Sequence, residues 1–330
     1  MKRLGIFGCV LTLFCTASAG YCAQTGGIDF EGCRADGMGG AYTAVAEGYE
    51  GVFYNPSGLT KLSTGHLILP SIYFKANQGA LNYILYKDDV NKLAEIGPLY
   101  GSFKGVGIAG IISPTWALNF YTVGNGISVH TSTYQRWILQ YDMGGVLSVA
   151  GKLPKFLPII DISLGTNLKY IYRNTNMYGV VQPASTPSHG YGLDIGAMCN
   201  LLGFIDAGVM FKDVFTRVGS DTVAMSVNIG VSTKLLYFLT LSMDFTDLAL
   251  QGGDFLDKVK LGAEANLFEL LKVRGGLSQR HPTVGLGVSL LFLNVDYAFM
   301  GEKVIENQTL NITGSNLPVG NHSLCCAIVF

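Results

Sequence analysis

Charge is what this chain has least of: Asp, Glu, Lys and Arg make up 14% of its 330 residues, against roughly 25% in soluble domains. Hydrophobic residues reach 49% and the mean hydropathy is +0.35, a balance that ordinarily signals transmembrane helices. Helix-length apolar runs are missing too. After residue 20, no stretch of about 18 apolar residues escapes a charge, a proline or a cluster of glycines and polar residues. A chain this apolar without spanning helices needs another way to satisfy its backbone in lipid, and a closed β-barrel is the one available. The net charge of −1 supplies no basic field, so nucleic acid is not expected as a partner.

Residues that carry chemistry are equally sparse. His66, His130, His189, His281 and His322 are scattered without metal-ligand spacing, so neither a metal nor a cofactor is expected. The glycine run at 37–40 is not followed by Gly-Lys-Ser/Thr, and Gly-x-Ser-x-Gly is absent. No catalytic residue is assigned, and the chain does not read as an enzyme. The sequons at Asn307, Asn311 and Asn321 carry no weight in a bacterial protein. Cys22, Cys33, Cys199, Cys325 and Cys326 match no zinc or redox spacing, and packing roles are expected for them. Cys325 and Cys326, adjacent on a strand, point to opposite faces.

What is present begins with a secretory signal. Lys2 and Arg3 form its positive region, Leu4 to Phe14 its apolar region, and Ala17-Ser18-Ala19 a small-residue cleavage site. Cleavage after Ala19 is expected, with Ala23 as the alternative. The apolar run is too short to span a bilayer, and Tyr21 before Cys22 does not suit a lipoprotein acceptor.

From about residue 140 the sequence alternates with a period of two. Val259, Leu261, Ala263, Ala265 and Leu267 interleave with Lys260, Gly262, Glu264 and Asn266; Val284, Leu286, Val288 and Leu290 interleave with Gly285, Gly287 and Ser289. One face is apolar, the other polar or glycine, as for a barrel with lipid outside and a lumen inside. Tight turns near 153–157, 201–203, 235–237, 268–270 and 291–293 alternate with polar loops near 174–189, 213–221, 248–256, 279–283 and 301–318. That asymmetry belongs to outer-membrane barrels, and a secreted sandwich gives no reason for it. Eleven strands follow Tyr134 and three more fit at 65–75, 103–113 and 115–123, which predicts about fourteen. A short helix is expected over 87–96. The last strand ends at Phe330, with Ile328, Cys326 and Leu324 at alternate positions, a pattern resembling the signal that barrel-assembly machinery recognises.

Residues 20–63 do not alternate. Gly37-Met38-Gly39-Gly40 leads into Ala41–Glu47, which reads as a short small-residue helix, and Val52–Leu59 follows as a turn. Pro56 breaks a helix and biases Asn55 to an extended conformation. A compact, glycine- and alanine-rich element of this kind could fit inside a narrow barrel.

Gly32–Ala41 followed by Val52–Leu59 resembles the N-terminal signature of the FadL/TodX long-chain fatty acid transporters, and equally that of their PorV-type relatives. Val273–Leu277, Val284–Gly287 and Val295–Phe299 resemble the same family's last strands. The resemblance implies a fourteen-strand barrel, all-β apart from an N-terminal hatch that plugs the lumen and contains a short helix. It divides the chain into a signal peptide (1–19), a hatch (20–63) and a barrel (64–330). Asn55-Pro56-Ser57 stands where the family's hatch has Asn-Pro-Ala, and marks a gate; Gly37, Met38, Gly39 and Gly40 would pack the hatch. The resemblance also implies passive uptake of a hydrophobic molecule, most naturally a long-chain fatty acid, and its release sideways through a kinked strand.

Alternation places Asp142, Lys169, Asp194, Asp206, Asp244, Lys258, Lys260, Glu264, Lys272, Arg274 and Asp296 on the lumen face. They are expected to pair with one another and with Arg34, Asp36 and Glu47; alternatively Lys260 or Arg274 meets a ligand carboxylate. The expected partners are a hydrophobic small molecule, outer-membrane lipids and the assembly machinery. A PorV-like docking barrel without transport, and a small-solute porin, are the alternatives.

Overall fold

A computed structural model describes residues 28, 30–86, 89, 92, 99–130, 135–155, 158–178, 186–235, 237–248, 255–303 and 318–330. They form a single sheet of sixteen strands. The first seven are β1 (His66–Asn77), β2 (Leu99–Ile112), β3 (Trp116–His130), β4 (Gln135–Lys152), β5 (Ile160–Tyr178), β6 (Thr186–Leu201) and β7 (Ile205–Lys212). β8 (Arg217–Val218) and β9 (Asp221–Thr222) make a small hairpin beside the start of β6. Then come β10 (Ser226–Leu235), β11 (Leu239–Phe245), β12 (Val259–Leu267), β13 (Leu271–Ser278), β14 (His281–Leu290), β15 (Leu293–Lys303) and β16 (Pro318–Val329). Without the hairpin, fourteen antiparallel strands follow one another round a wall that closes where β1 pairs with β16. No described helix is long and apolar enough to cross a membrane.

The alternation read from the sequence is the wall's inside and outside. Along β14, Val284, Leu286 and Val288 face out, and Thr283, Gly285 and Gly287 face in. The earlier strands read less clearly because their inner face carries apolar residues too. Val106, Ile108 and Ile112 of β2 and Tyr121 and Val123 of β3 are buried inside, while Ile111, Leu118 and Phe120 are exposed outside. Aromatic side chains collect at the short-turn end: Trp116, Phe204, Tyr237, Phe238, Phe268, Phe292 and Phe330 are all exposed. Tyr237 and Phe268 hold left-handed conformations there, with φ of 61° and 55°. Such a conformation costs a non-glycine residue about 1–2 kcal/mol, offset in a membrane barrel by an aromatic ring at the bilayer interface.

The helix foreseen at 87–96 falls largely outside the described residues; of that range only Asp89 and Lys92 are described, and Lys92 is helical, its N–H donating to the Asp89 side chain at 3.2 Å. A further helix, α3 (Gln78–Tyr86), precedes it, where the Asn77 side chain accepts the Ala80 N–H at 2.8 Å and caps its first turn. Three expectations are corrected. The loop at 279–283 is a tight turn of Gln279 and Arg280, both with positive φ, and β14 starts at His281. Strands also extend into the loops expected at 174–189 and 301–318. The small-residue helix at 41–47 does not form. Instead α1 (Cys33–Gly37) ends before it and α2 (Gly48–Tyr54) begins after it. Gly39 and Gly40 turn the chain with φ of 64° and 78°, and the Tyr42 and Thr43 N–H groups donate to Asp244 on β11 at 2.9 and 2.7 Å. Bonds to the wall replace the helical ones.

The N-terminal segment occupies the barrel interior. Pro56 ends α2 as expected, Asn55 is extended at φ −165°, ψ 105°, and the 3-10 turn η1 (Pro56–Lys61) leads to β1. α1 packs against β13–β16, and η1 against β4–β6.

Candidate functional site

The interior mixes apolar and charged patches, and the N-terminal segment meets both. The inward positions of β1–β5 include an apolar group, Ile68, Val106, Ile112, Val123, Val146 and Ile171, while the same strands bury Lys75, Lys104, Asp142, Lys169 and Arg173. Against the apolar group the segment presents Phe30, Val52, Phe53 and Leu59. Phe30 stacks on Phe53 with ring centres 4.1 Å apart, and Phe53 meets Tyr121 edge-on at 6.3 Å. On the same strands Asn119 and Ser148 bury side-chain polar atoms with no hydrogen-bond partner among the described residues.

Charged contacts also join the segment to the wall. Arg34 on α1 bridges Glu47 at 2.6 Å and Glu264 of β12 at 2.7 Å. Glu264 also takes the Arg274 guanidinium at 2.7 Å, and Arg274 reaches Asp296 at 2.5 Å. Lys61 donates to Asp206 at 3.0 Å and to the Ala44 carbonyl at 2.7 Å. Glu31 lies between Lys75 at 2.9 Å and Lys104 at 2.7 Å. Asp36 accepts from Tyr73 at 2.7 Å and Ser323 at 2.6 Å. The pairing expected of Arg34, Asp36 and Glu47 is therefore mostly pairing across the plug–wall boundary.

These environments move the plug's acids in opposite directions. Burial raises Glu50 to about 7, with Asp296 adding to the rise and Arg274 and Arg34 opposing it. Burial likewise raises Asp36. For Glu31 burial is overcome by Lys104 and Lys75, which hold it well below the usual carboxylate range. Glu47 is lowered, its burial outweighed by Arg34.

Asn55, Pro56 and Ser57 lie against the wall at β5–β7. The Asn55 amide donates to the carbonyls of Thr43 and Ala197, both at 3.2 Å, and its own carbonyl oxygen accepts from Ser57 Oγ at 2.6 Å. The serine hydroxyl thus closes the turn. The Gly37–Gly40 run lies against β12–β14. A Cβ on Gly39 would come within 2.7 Å of the Leu261 carbonyl, and one on Gly276 would meet the Met38 carbonyl carbon at 2.6 Å. Backbone touches backbone there because neither position carries a side chain.

The two candidate carboxylate contacts fare differently. Arg274 is 4% exposed, and its guanidinium is committed to Glu264 and Asp296, which leaves it no free face for a ligand. Lys260 pairs in register with Asp244 across β11–β12, and its side chain runs beside Gly40, where a Cβ would lie 3.0 Å from Lys260 Cδ. Sequence reasoning missed Glu31, Lys61, Lys75 and Lys104. The two strand lysines had a signal, a single charge on the inward face of a strand that carries no other. At the short-turn end a polar recess of about 280 Å³ is lined by Glu47, Lys61, Lys152, Asp161, Asp206 and Lys234, among others. Among the described residues no cluster of His, Cys, Asp or Glu could hold a metal ion.

No protein-family model matches the chain, and no curated protein matches its sequence. Solved structures do match by shape. The Pseudomonas putida toluene transporter TodX aligns over 93% of this chain and 99% of its own, with a TM-score of 0.55 at 10% identity. The Ralstonia pickettii toluene transporter TbuX aligns over 92% and 98%, at TM-score 0.53 and 11% identity. A Pseudomonas aeruginosa FadL homologue aligns over 90% and 97%, at 0.51 and 10%. The described strands, their closure and these likenesses over nine-tenths of the chain together give this protein a FadL-like fold.

Proposed function

We propose that this chain is an outer-membrane channel that takes up hydrophobic small molecules without covalent chemistry. The observation that carries the reading is the group of apolar inward residues on β1–β5 that packs on Phe30, Val52, Phe53 and Leu59, where a water-filled porin would present polar side chains. Movement of the plug segment away from β1–β5 would expose Ile68, Val106, Val146 and Ile171 to a solute. Such a surface gains about 0.8 kcal/mol for each methylene it buries, and the unpartnered groups of Asn119 and Ser148 could receive a polar end. The toluene transporters among the structural neighbours favour a small hydrocarbon; the sequence resemblance favours a long-chain fatty acid, and that remains our finer reading. In this proposal residues 1–19 are removed as a signal peptide, residues 20–63 are the hatch, and Asn55-Pro56-Ser57 is its gate. The aromatic ring contacts outer-membrane lipid, and the strand ending at Phe330 engages the assembly machinery.

Sideways release would not use β3, whose register with β2 and β4 is unbroken. The irregular strand is β1, which carries one extra residue against both neighbours between Ile68 and Ser71, at Leu69-Pro70. Purified barrel should bind labelled oleate or labelled toluene saturably, and Ile171→Asp should weaken binding at least tenfold while the barrel stays folded. No saturable binding of either ligand would refute the channel. A second reading, a docking barrel that transports nothing, is favoured by the way ion pairs fasten the plug; it predicts co-purifying protein and no ligand binding.

A further inference from the structure

We infer that Cys33 and Cys325 form a disulfide that ties the plug to the barrel wall. Cys33 opens α1, and Cys325 faces inward on β16, against which α1 packs. Both are buried, 0% and 1% exposed, in one core cluster; Asp36, one turn on from Cys33, accepts from Ser323, two positions before Cys325 on the same strand face, at 2.6 Å. Cys325 Sγ also donates to Glu50 Oε1 at 3.9 Å, with Ser71 Oγ 3.7 Å and Tyr49 Oη 4.0 Å away. Neither other described cysteine competes. Cys326 is exposed on the outer face, and Cys199 lies on β6, across the barrel from β16.

The inference rests on the proposed location only for its oxidant: beyond the inner membrane disulfides form and persist. The chemistry is exchange with a disulfide-bearing oxidant, either a small-molecule disulfide or an oxidoreductase. One cysteine thiolate attacks the oxidant's disulfide and expels a thiolate. The second then attacks the mixed disulfide and expels the other thiolate. Two thiols are oxidised, one disulfide is reduced, and the two protons end on the leaving thiolates. In the folded protein burial, followed by Cys325, Asp36 and Glu50, pushes the Cys33 thiol far up, so its thiolate is scarce. The bond therefore closes during assembly, as α1 docks, before the site is shut off.

The consequence for a moving hatch is specific. With α1 tied to β16, the plug cannot leave as a body, and any opening comes from the segment after it, through Asn55-Pro56-Ser57. The test is refolding of the reduced, urea-unfolded full-length chain into detergent with a reduced and oxidised glutathione pair, then alkylation, digestion and mass spectrometry. A cross-linked Cys33–Cys325 peptide is expected, absent in Cys33→Ser and Cys325→Ser, with Cys326 alkylated. Cys33→Ser should still give a folded, heat-modifiable barrel. If both thiols are alkylated in folded oxidised protein, or the link runs through Cys22, Cys199 or Cys326, the inference is overturned. The mapping needs no ligand, so a barrel that bound nothing hydrophobic would still show the link.

Discussion

Single side chains fasten the plug, and their contributions carry sign and size. Glu264 answers two guanidiniums, Arg34 and Arg274. Removing one partner of a buried ion pair costs about 3–5 kcal/mol, because the other charge stays buried. Asp296 and Glu47 still hold one arginine each, so Glu264→Gln is expected near the low end, about 3 kcal/mol, read as a lowered urea midpoint in detergent. Gly39→Ala forces a Cβ toward the Leu261 carbonyl at positive φ. Its expected effect is expulsion of the plug, seen as new protease cleavage between residues 41 and 62 while the barrel resists. Glu50 predicts a pH dependence. Its folded value of about 7 lies above the ordinary 4.5, so the folded state holds its proton more tightly. Its stabilisation is complete below about 4.5 and is lost as pH rises through 7, up to about 3 kcal/mol. Glu31 and Glu47, held low by cations, act oppositely and weaken the plug only as pH falls below the carboxylate range. The thermal midpoint should therefore fall between pH 4.5 and 7 and level off above, and Glu50→Gln should flatten that fall.

Among the elements, β1 is the irregular one. Its bulge lets Ile68 and Ser71 both face the lumen although three positions separate them. Deleting Pro70 restores strict alternation without turning any other inward side chain outward. The deletion variant should fold at least as stably as the parent; if the bulge serves release, uptake into liposomes should drop although ligand binding persists. Undiminished flux would remove β1 from the transport path. Strands β10–β16 were legible in the sequence because lipid is on one face and glycine, hydroxyl or charge on the other. β1–β4 were less so, since their inner face carries apolar residues such as Ile68, Val106, Ile108 and Val146 among its polar ones, which blurs the alternation. The helix expected at 41–47 failed for a related reason: alanine-rich spacing favours a helix, but Asp244 offered the backbone a competing acceptor.

For the whole molecule, the proposed hatch role of the N-terminal segment makes a prediction about conductance. Deleting residues 28–62 removes the aromatic and ionic filling together and leaves inward charges such as Lys75, Lys104, Asp244, Glu264 and Arg274 facing the lumen. That variant should conduct small ions across planar bilayers, while the full-length barrel conducts little. Equal, low conductance in both would show that the wall closes the passage unaided.

The amino-acid order alone pointed to a closed antiparallel barrel of about fourteen strands, and to which side chains of its later strands face in. Period-two alternation and the lack of helix-length apolar runs are local properties, readable without knowing any partner. It also marked Arg34, Asp36, Glu47 and the Gly37–Gly40 run as parts of the interior. Only the tertiary structure decided which charge meets which: that Arg274 is spent on Glu264 and Asp296, that Glu31 lies between Lys75 and Lys104, and that Cys33 and Cys325 share one buried cluster. Those partners are separated by up to 292 residues, and nothing in local spacing records a contact that exists only once the first strand has met the last.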